Sequence, residues 1–168
     1  MNFIEKYIQN TNIKINKNYL AQNLMKYQIK TLEETNKLAK EISKNLSIGQ
    51  VITLKGTLGA GKTYFTSCLI NALLQKYNQP NATVVSPTFN IVKEYQLKDF
   101  SVYHFDLYRL KNKNELYELD IETCFENGIS IIEWPEIAED IIYNVAMEIE
   151  IKIVGETERE FTIIQNHR

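Results

Sequence analysis

Gly56-Thr-Leu-Gly59-Ala-Gly61-Lys62-Thr63 meets the spacing Gly-x4-Gly-Lys-Ser/Thr, a pattern that cradles a polyphosphate. Gly56, Gly59 and Gly61 lack a Cβ, so the backbone can take positive φ and let phosphate oxygens approach closely. Lys62 supplies a cation for the β- and γ-phosphates, and the Thr63 hydroxyl is a ligand for Mg²⁺. Without a ligand the Lys62 side chain is expected to face solvent. Two acids further along have the same chemistry in view: Asp106, within His104-Phe-Asp106-Leu-Tyr108-Arg109-Leu110, and Glu133, within Ile132-Glu-Trp-Pro135. Each ends an apolar run. Two carboxylates beside one metal can divide the work, one anchoring the ion and the other orienting or deprotonating water. Thr88 in Ser86-Pro87-Thr88-Phe89 is held at a rigid bend by the proline, where a hydroxyl can sense the γ-phosphate or its metal. Together these residues point to nucleotide hydrolysis.

Such side chains need a strand–loop–helix frame. Val51–Lys55 is a short β-branched run before the loop, and Lys62–Tyr77 after it has Phe65, Leu69, Ala72 and Leu73 at helical spacing. The loop would aim backbone amides and the positive end of the helix dipole into one concavity. Thr31-Leu-Glu-Glu34 is a capping box opening a helix with Leu38, Ile42 and Leu46 on one face, ending near Gly49. Ala82–Val85 is a further strand candidate. Phe89–Leu97 and Ser101–Phe105 predict an antiparallel hairpin. A helix from Asn112 to about Asn127, stopped by Gly128, leads into the strand Ile129–Ile132. Ala146–Val154 and Glu160–Ile164 make a second hairpin around Gly155. Asn112-Lys-Asn-Glu115 has the outline of the guanine signature Asn-Lys-x-Asp. An Asn cap with Glu three residues on accounts for it better, since no apolar strand leads in. His104 reads as a packed or hydrogen-bonded strand residue, and Trp134 as a core or rim aromatic.

The 168 residues suffice for one domain with its own core. A net charge of −2 with only three arginines, Arg109, Arg159 and Arg168, gives no basic field for autonomous nucleic-acid binding. Cys68 and Cys124 have no metal-ligand spacing and read as apolar packing residues in a reducing compartment. No apolar run has the length of a membrane span, and no secretory or transit pattern is evident, so the expected setting is cytoplasmic without a membrane partner. Residues 1–30, polar and rich in Asn and Lys, read as a weakly ordered or short helical extension, with the domain at 31–168.

The order Gly-x-x-Gly-Ala-Gly-Lys-Thr (56–63), Ser-Pro-Thr-Phe (86–89), His-Phe-Asp-Leu-Tyr-Arg-Leu (104–110) and Ile-Glu-Trp-Pro (132–135) resembles the bacterial TsaE (YjeE) ATPases of tRNA threonylcarbamoyladenosine synthesis. The similarity runs over about residues 31–165. It implies an α/β fold of three layers, P-loop NTPase-like, with a mixed parallel and antiparallel sheet flanked by helices. It also implies Mg²⁺-dependent ATP hydrolysis in support of TsaB and TsaD partners, which modify the adenosine beside the anticodon, with tRNA met only through that complex. By motif position, Gly59, Ala60, Gly61, Lys62, Thr63 and Tyr64 bind nucleotide, and Thr63 and Glu133 bind the metal. Thr88, Asp106 and Glu133 form the catalytic set, and Arg159 matches loosely a position near the adenine. The first 30 or so residues have no counterpart in compact relatives.

Two other classes fit a phosphate cradle. A small P-loop kinase commonly closes an arginine-bearing lid over the transferred group, and Arg109 is the one arginine before Arg159. A nucleotide-gated adaptor would bind ATP and a partner without needing turnover.

Overall fold

A computed structural model describes residues 22–166. It begins with a strand, β1 (Gln22–Ile29), where the sequence suggests a weakly ordered or helical extension. That expectation is corrected for residues 22–29, and its remainder, residues 1–21, lies outside the described residues. Leu20 and Leu24 stand four apart, an interval that suits a helical face and a strand face equally. The alternation that decides is Met25, Tyr27, Ile29: Met25 packs against the core and Ile29 is buried.

Thr31 opens α1 (Leu32–Ser43) through the expected capping box. Its hydroxyl accepts from Glu34 N–H at 3.2 Å, while Glu34 Oε2 accepts from Thr31 N–H at 3.3 Å, relieving two of the unpaired amides of the first turn. β2 (Val51–Lys55), the glycine loop and α2 (Lys62–Lys76) follow as the sequence predicts. Phe65, Leu69 and Leu73 are fully buried on the sheet side of α2, each contributing roughly 1.5–3 kcal/mol relative to exposure.

The remaining elements are β3 (Val92–Gln96), β4 (Ser101–Asp106), α3 (Glu115–Glu118), α4 (Ile121–Asn127), β5 (Gly128–Glu133), a 3-10 turn (Pro135–Ala138), β6 (Val145–Ile153) and β7 (Arg159–Asn166). The expected strand at 82–85 is absent. Asn71 on α2 claims that backbone instead, its side chain accepting from Ala82 N–H at 2.9 Å and donating to Ala82 C=O at 3.2 Å. The single helix expected over 112–127 breaks in two at Asp120, whose φ is +51°. The Asn112 cap itself forms: Glu115 Oε1 accepts from Asn112 N–H, and Asn112 Oδ1 from Asn114 N–H. The β3 strand starts three residues later than its alternation suggests, because Ile91 adopts φ +63° and the Pro87 carbonyl accepts from Asn90 and Ile91.

The seven strands form one sheet in the order β1-β7-β6-β2-β5-β4-β3. Its centre, β6-β2-β5-β4, is parallel, and the hairpins β6–β7 and β3–β4 and the edge pair β1–β7 are antiparallel. One face packs under α1 and α2, with Ile52, Leu54, Ile129, Ile131, Ile149 and Ile151 beneath Leu38, Phe65 and Leu69. The other packs Val51, Phe105 and Ile132 against Leu116, Ile121 and Phe125 of α3 and α4. The fold is therefore a three-layer α/β sandwich with a mixed sheet. Near-continuous apolar β2 and β5 are what a strand covered on both faces requires.

Candidate active site

Parallel strands leave their C-terminal ends on one rim, and in open α/β sheets that rim holds the ligand. Here β2 delivers the glycine loop, β4 delivers Asp106 and β5 delivers Glu133. Asp106 and Glu133 are direct register partners, and Glu133 also pairs with Leu54 at the end of β2. A cavity of about 500 Å³ opens above them, lined by Gly59, Gly61, Lys62, Thr63, Tyr64, Ser86, Thr88, Asp106, Arg109, Glu133 and Trp134 among others.

Gly59 and Gly61 take φ of +77° and +104°, and a Cβ on either would meet nothing within 4 Å. Their glycine requirement is therefore conformational, and it leaves the loop open to an approaching ligand. Gly56 differs: with φ +145°, its missing Cβ makes room for the Ile151 carbonyl of β6, so this glycine seats the loop on the sheet. Gly61 is the N-cap of α2 and offers no side chain to it, which leaves the first-turn amides to an anionic ligand.

Lys62 does not face solvent. It is 4% exposed, with Nζ donating to the carbonyls of Gly56 at 2.7 Å and Thr57 at 3.0 Å, and resting 3.7 Å from the centre of the Trp134 ring. Burial lowers its pKa below the ordinary lysine range, with Glu133, Asp106 and Glu136 pulling the other way. Its long stem lets it fold back on its own loop, which periodicity does not register.

Glu133 is 1% exposed, with both carboxylate oxygens hydrogen-bonded. Oε2 accepts from the Thr63 hydroxyl at 2.9 Å, and Oε1 accepts from Thr66 at 3.3 Å and meets His104 Nε2 at 2.8 Å. Asp106 takes the hydroxyls of Ser86 and Thr88 (3.1 Å) on Oδ2 and the Tyr108 N–H on Oδ1 at 3.1 Å. The acids thus occupy different settings, one against α2 and the other against the Ser86–Thr88 bend. Among the described residues no cluster of three or more His, Cys, Asp or Glu side chains forms a metal cage. Mg²⁺ needs none, since it retains waters and takes one or two carboxylates plus substrate phosphates. The oxygen donors Thr63 and Glu133 fit such an ion, because the hydroxyl can offer a lone pair while still donating to Glu133.

The structure gathers Gly59, Gly61, Lys62, Thr63, Tyr64, Thr88, Asp106 and Glu133 around one cavity. Ala60 and Arg159 fall on a second, adjoining cavity of about 490 Å³ that shares Gly61 and Tyr64 with the first. Its other walls include Thr31, Thr35, Thr157 and Phe161. Arg159 is fixed there, its Nε donating to the Ala60 carbonyl at 3.0 Å and an Nη to three carbonyls of the β6–β7 turn. Sequence reasoning missed Ser86, Thr66 and the partnership of His104 with Glu133. Their signals are spacing: His104 lies two before Asp106 on one strand face, and Thr66 lies three after Thr63 on one helix face.

Residues 29–161 match the family described as Threonylcarbamoyl adenosine biosynthesis protein TsaE. The chain belongs to the TsaE family. Relatives named tRNA threonylcarbamoyladenosine biosynthesis protein TsaE include that of Bacillus subtilis, 36% identical over 82% of this chain and 84% of its own. That of Aquifex aeolicus is 42% identical over 71% and 81%, and that of Rickettsia conorii is 36% identical over 75% of its own length and 81% of this chain. The crystal structure of Bacillus subtilis YdiB superposes with a TM-score of 0.66 at 29% identity, covering 87% of this chain and 88% of that one. The family match, residues 29–161, spans the glycine loop, both acids and Arg159. No helix among the described residues is long and apolar enough to cross a membrane.

Proposed function

We propose that this protein binds ATP with Mg²⁺ and hydrolyses it in support of threonylcarbamoyl transfer to tRNA adenosine by TsaB and TsaD partners in the cytoplasm. The observation that carries this reading is the side-by-side pair Asp106 and Glu133, with Thr63 hydrogen-bonded to one and Thr88 to the other at the mouth of the glycine loop. The second cavity, bounded by Arg159, Thr35 and Phe161, suits the nucleoside end, leaving the triphosphate along Gly59–Thr63.

Lys62 would leave its loop carbonyls for the β- and γ-phosphates, exchanging neutral acceptors for charged ones. Thr63 and Glu133 would hold Mg²⁺, which when bound offsets charge on the phosphate oxygens. Asp106 would orient the attacking water and receive its proton as the water oxygen bonds to the γ-phosphorus and the β–γ bridge leaves with ADP. Thr88, hydrogen-bonded to Asp106, can exchange that carboxylate for the nucleotide, so Asp106 is released to the water only when ATP is present. The test is steady-state phosphate release with and without Mg²⁺. Glu133→Gln should weaken Mg²⁺-dependent nucleotide binding, and Asp106→Asn should lower kcat by about 10²-fold or more at near-constant affinity. Wild-type turnover in both variants would refute the two-acid site.

A further inference from the structure

His104 is fully buried on β4, its Nε2 2.8 Å from Glu133 Oε1, while its Nδ1 is buried with no partner among the described residues. Glu133 Oε1 also takes the Thr66 hydroxyl, and Oε2 takes only Thr63 among the described residues. A buried imidazole with one nitrogen unsatisfied is a poor packing element, because the orphaned acceptor loses its hydration without compensation. An apolar side chain would fill the same space more favourably, so packing does not explain an imidazole here. The bond to Glu133 does.

We propose that His104 and Thr66 are positioning residues that pin Glu133 through Oε1 and so reserve Oε2, beside Thr63, for the divalent cation. This rests on the Mg²⁺–nucleotide reading above. A carboxylate free to rotate would present either oxygen, or both, and would lose geometry to thermal motion. Fixing one oxygen with two donors from two different elements, β4 and α2, removes that freedom before the cation arrives. In this arrangement Nε2 donates to Glu133 Oε1, since a carboxylate only accepts. Partners of metal-ligating side chains commonly matter about 10–100-fold in metal affinity.

The experiment measures Mn²⁺ binding to the protein–ADP complex by electron paramagnetic resonance, Mn²⁺ standing in for Mg²⁺, alongside ADP affinity in chelator. The proteins are full-length wild type, His104→Phe, His104→Gln, His104→Asn and Thr66→Val. Expected is a loss of about 10-fold or more in Mn²⁺ affinity in His104→Phe, with metal-free ADP affinity changed by less than about 2-fold. Gln carries its amide nitrogen near the place of Nε2 and should recover most of the loss, whereas Asn, one methylene shorter, should not. Thr66→Val keeps the side-chain shape and should show a smaller loss of the same kind. If His104→Phe does not fold, the Gln–Asn contrast and Thr66→Val decide. Wild-type Mn²⁺ affinity in the folded variants, or equal losses with and without metal, would overturn the positioning role alone. Absence of Mn²⁺ binding by the wild-type ADP complex would overturn the underlying Mg²⁺–nucleotide reading as well.

Discussion

Lys62 rests between two states that its surroundings set against each other. Burial disfavours its charge, while Glu133 and Asp106 favour it, and the ammonium is held by two loop carbonyls and the Trp134 ring. A triphosphate supplies stronger, charged acceptors, so nucleotide binding should draw Nζ off the indole. Trp134 is the single tryptophan, which makes intrinsic fluorescence a direct readout. Saturating ATP should change Trp134 emission in wild type and leave it nearly unchanged in Lys62→Ala. Loss of the lysine should also lower turnover by about 10²-fold or more, the scale of removing a cation from the transferring phosphate. The melting temperature should shift by less than about 3 °C, equivalent to ~1 kcal/mol in a domain of this size, because the desolvation relieved offsets the hydrogen bonds lost. A fluorescence response that survives in Lys62→Ala would place the nucleotide elsewhere.

Elements with a closed local pattern were legible in the sequence, and those decided by distant partners were not. The capping box at Thr31, the loop before Lys62 and the strands ending in Asp106 and Glu133 carry their causes within a few residues. Gly128 also acts locally as a stop, although its deeper reason lies across the sheet: a Cβ there would press on the Ser101 carbonyl of β4 and on the Tyr103 ring. By contrast, β1 exists because β7 offers it a ladder from Gln22↔Asn166 to Ile29↔Arg159, 130 or more residues away in the chain. At the failed strand 82–85 a single asparagine on α2 takes both backbone groups of Ala82. In the site, the residue types were legible, while the pairing of His104 with Glu133 needed the register of β4 against β5. Starting the chain at residue 31 should therefore be damaging. It would strip the ladder from β7, which also carries Arg159 and Phe161 at the second cavity, and remove buried Ile29. A loss of at least ~2–4 kcal/mol, or roughly 6–12 °C in melting temperature, is expected together with weaker nucleotide binding. A truncated protein that melts and binds like the full chain would show that β1 is dispensable.

The distribution of cations over the described residues bears on how fast the proposed hydrolysis could run without a partner. Arg159 is committed to carbonyls beside the second cavity, and Lys62 is the cation inside the first. Arg109 is the one other arginine among the described residues; it lines the first cavity yet is exposed, its guanidinium 4.6 Å from the centre of the Phe89 ring. Phe89 is itself 85% exposed, and Leu58 and Tyr108 at the same rim are 71% and 51% exposed. An arginine resting on an exposed ring is held weakly, by about 0.5–1 kcal/mol, and a protein covering that rim could redirect it or add a cation of its own. Charge developing in phosphoryl transfer gains about 10³–10⁵ in rate from such an arginine. Isolated protein should accordingly release phosphate slowly, and a TsaB–TsaD complex should accelerate it by about 10²-fold or more. Arg109→Ala should abolish that stimulation while leaving slow basal turnover and complex formation in place, as measured by phosphate release and by co-elution with the partners. Fast turnover of the isolated chain that collapses in Arg109→Ala would mean instead that Arg109 completes the site unaided. Stimulation undiminished in Arg109→Ala would assign the extra cation to the partner.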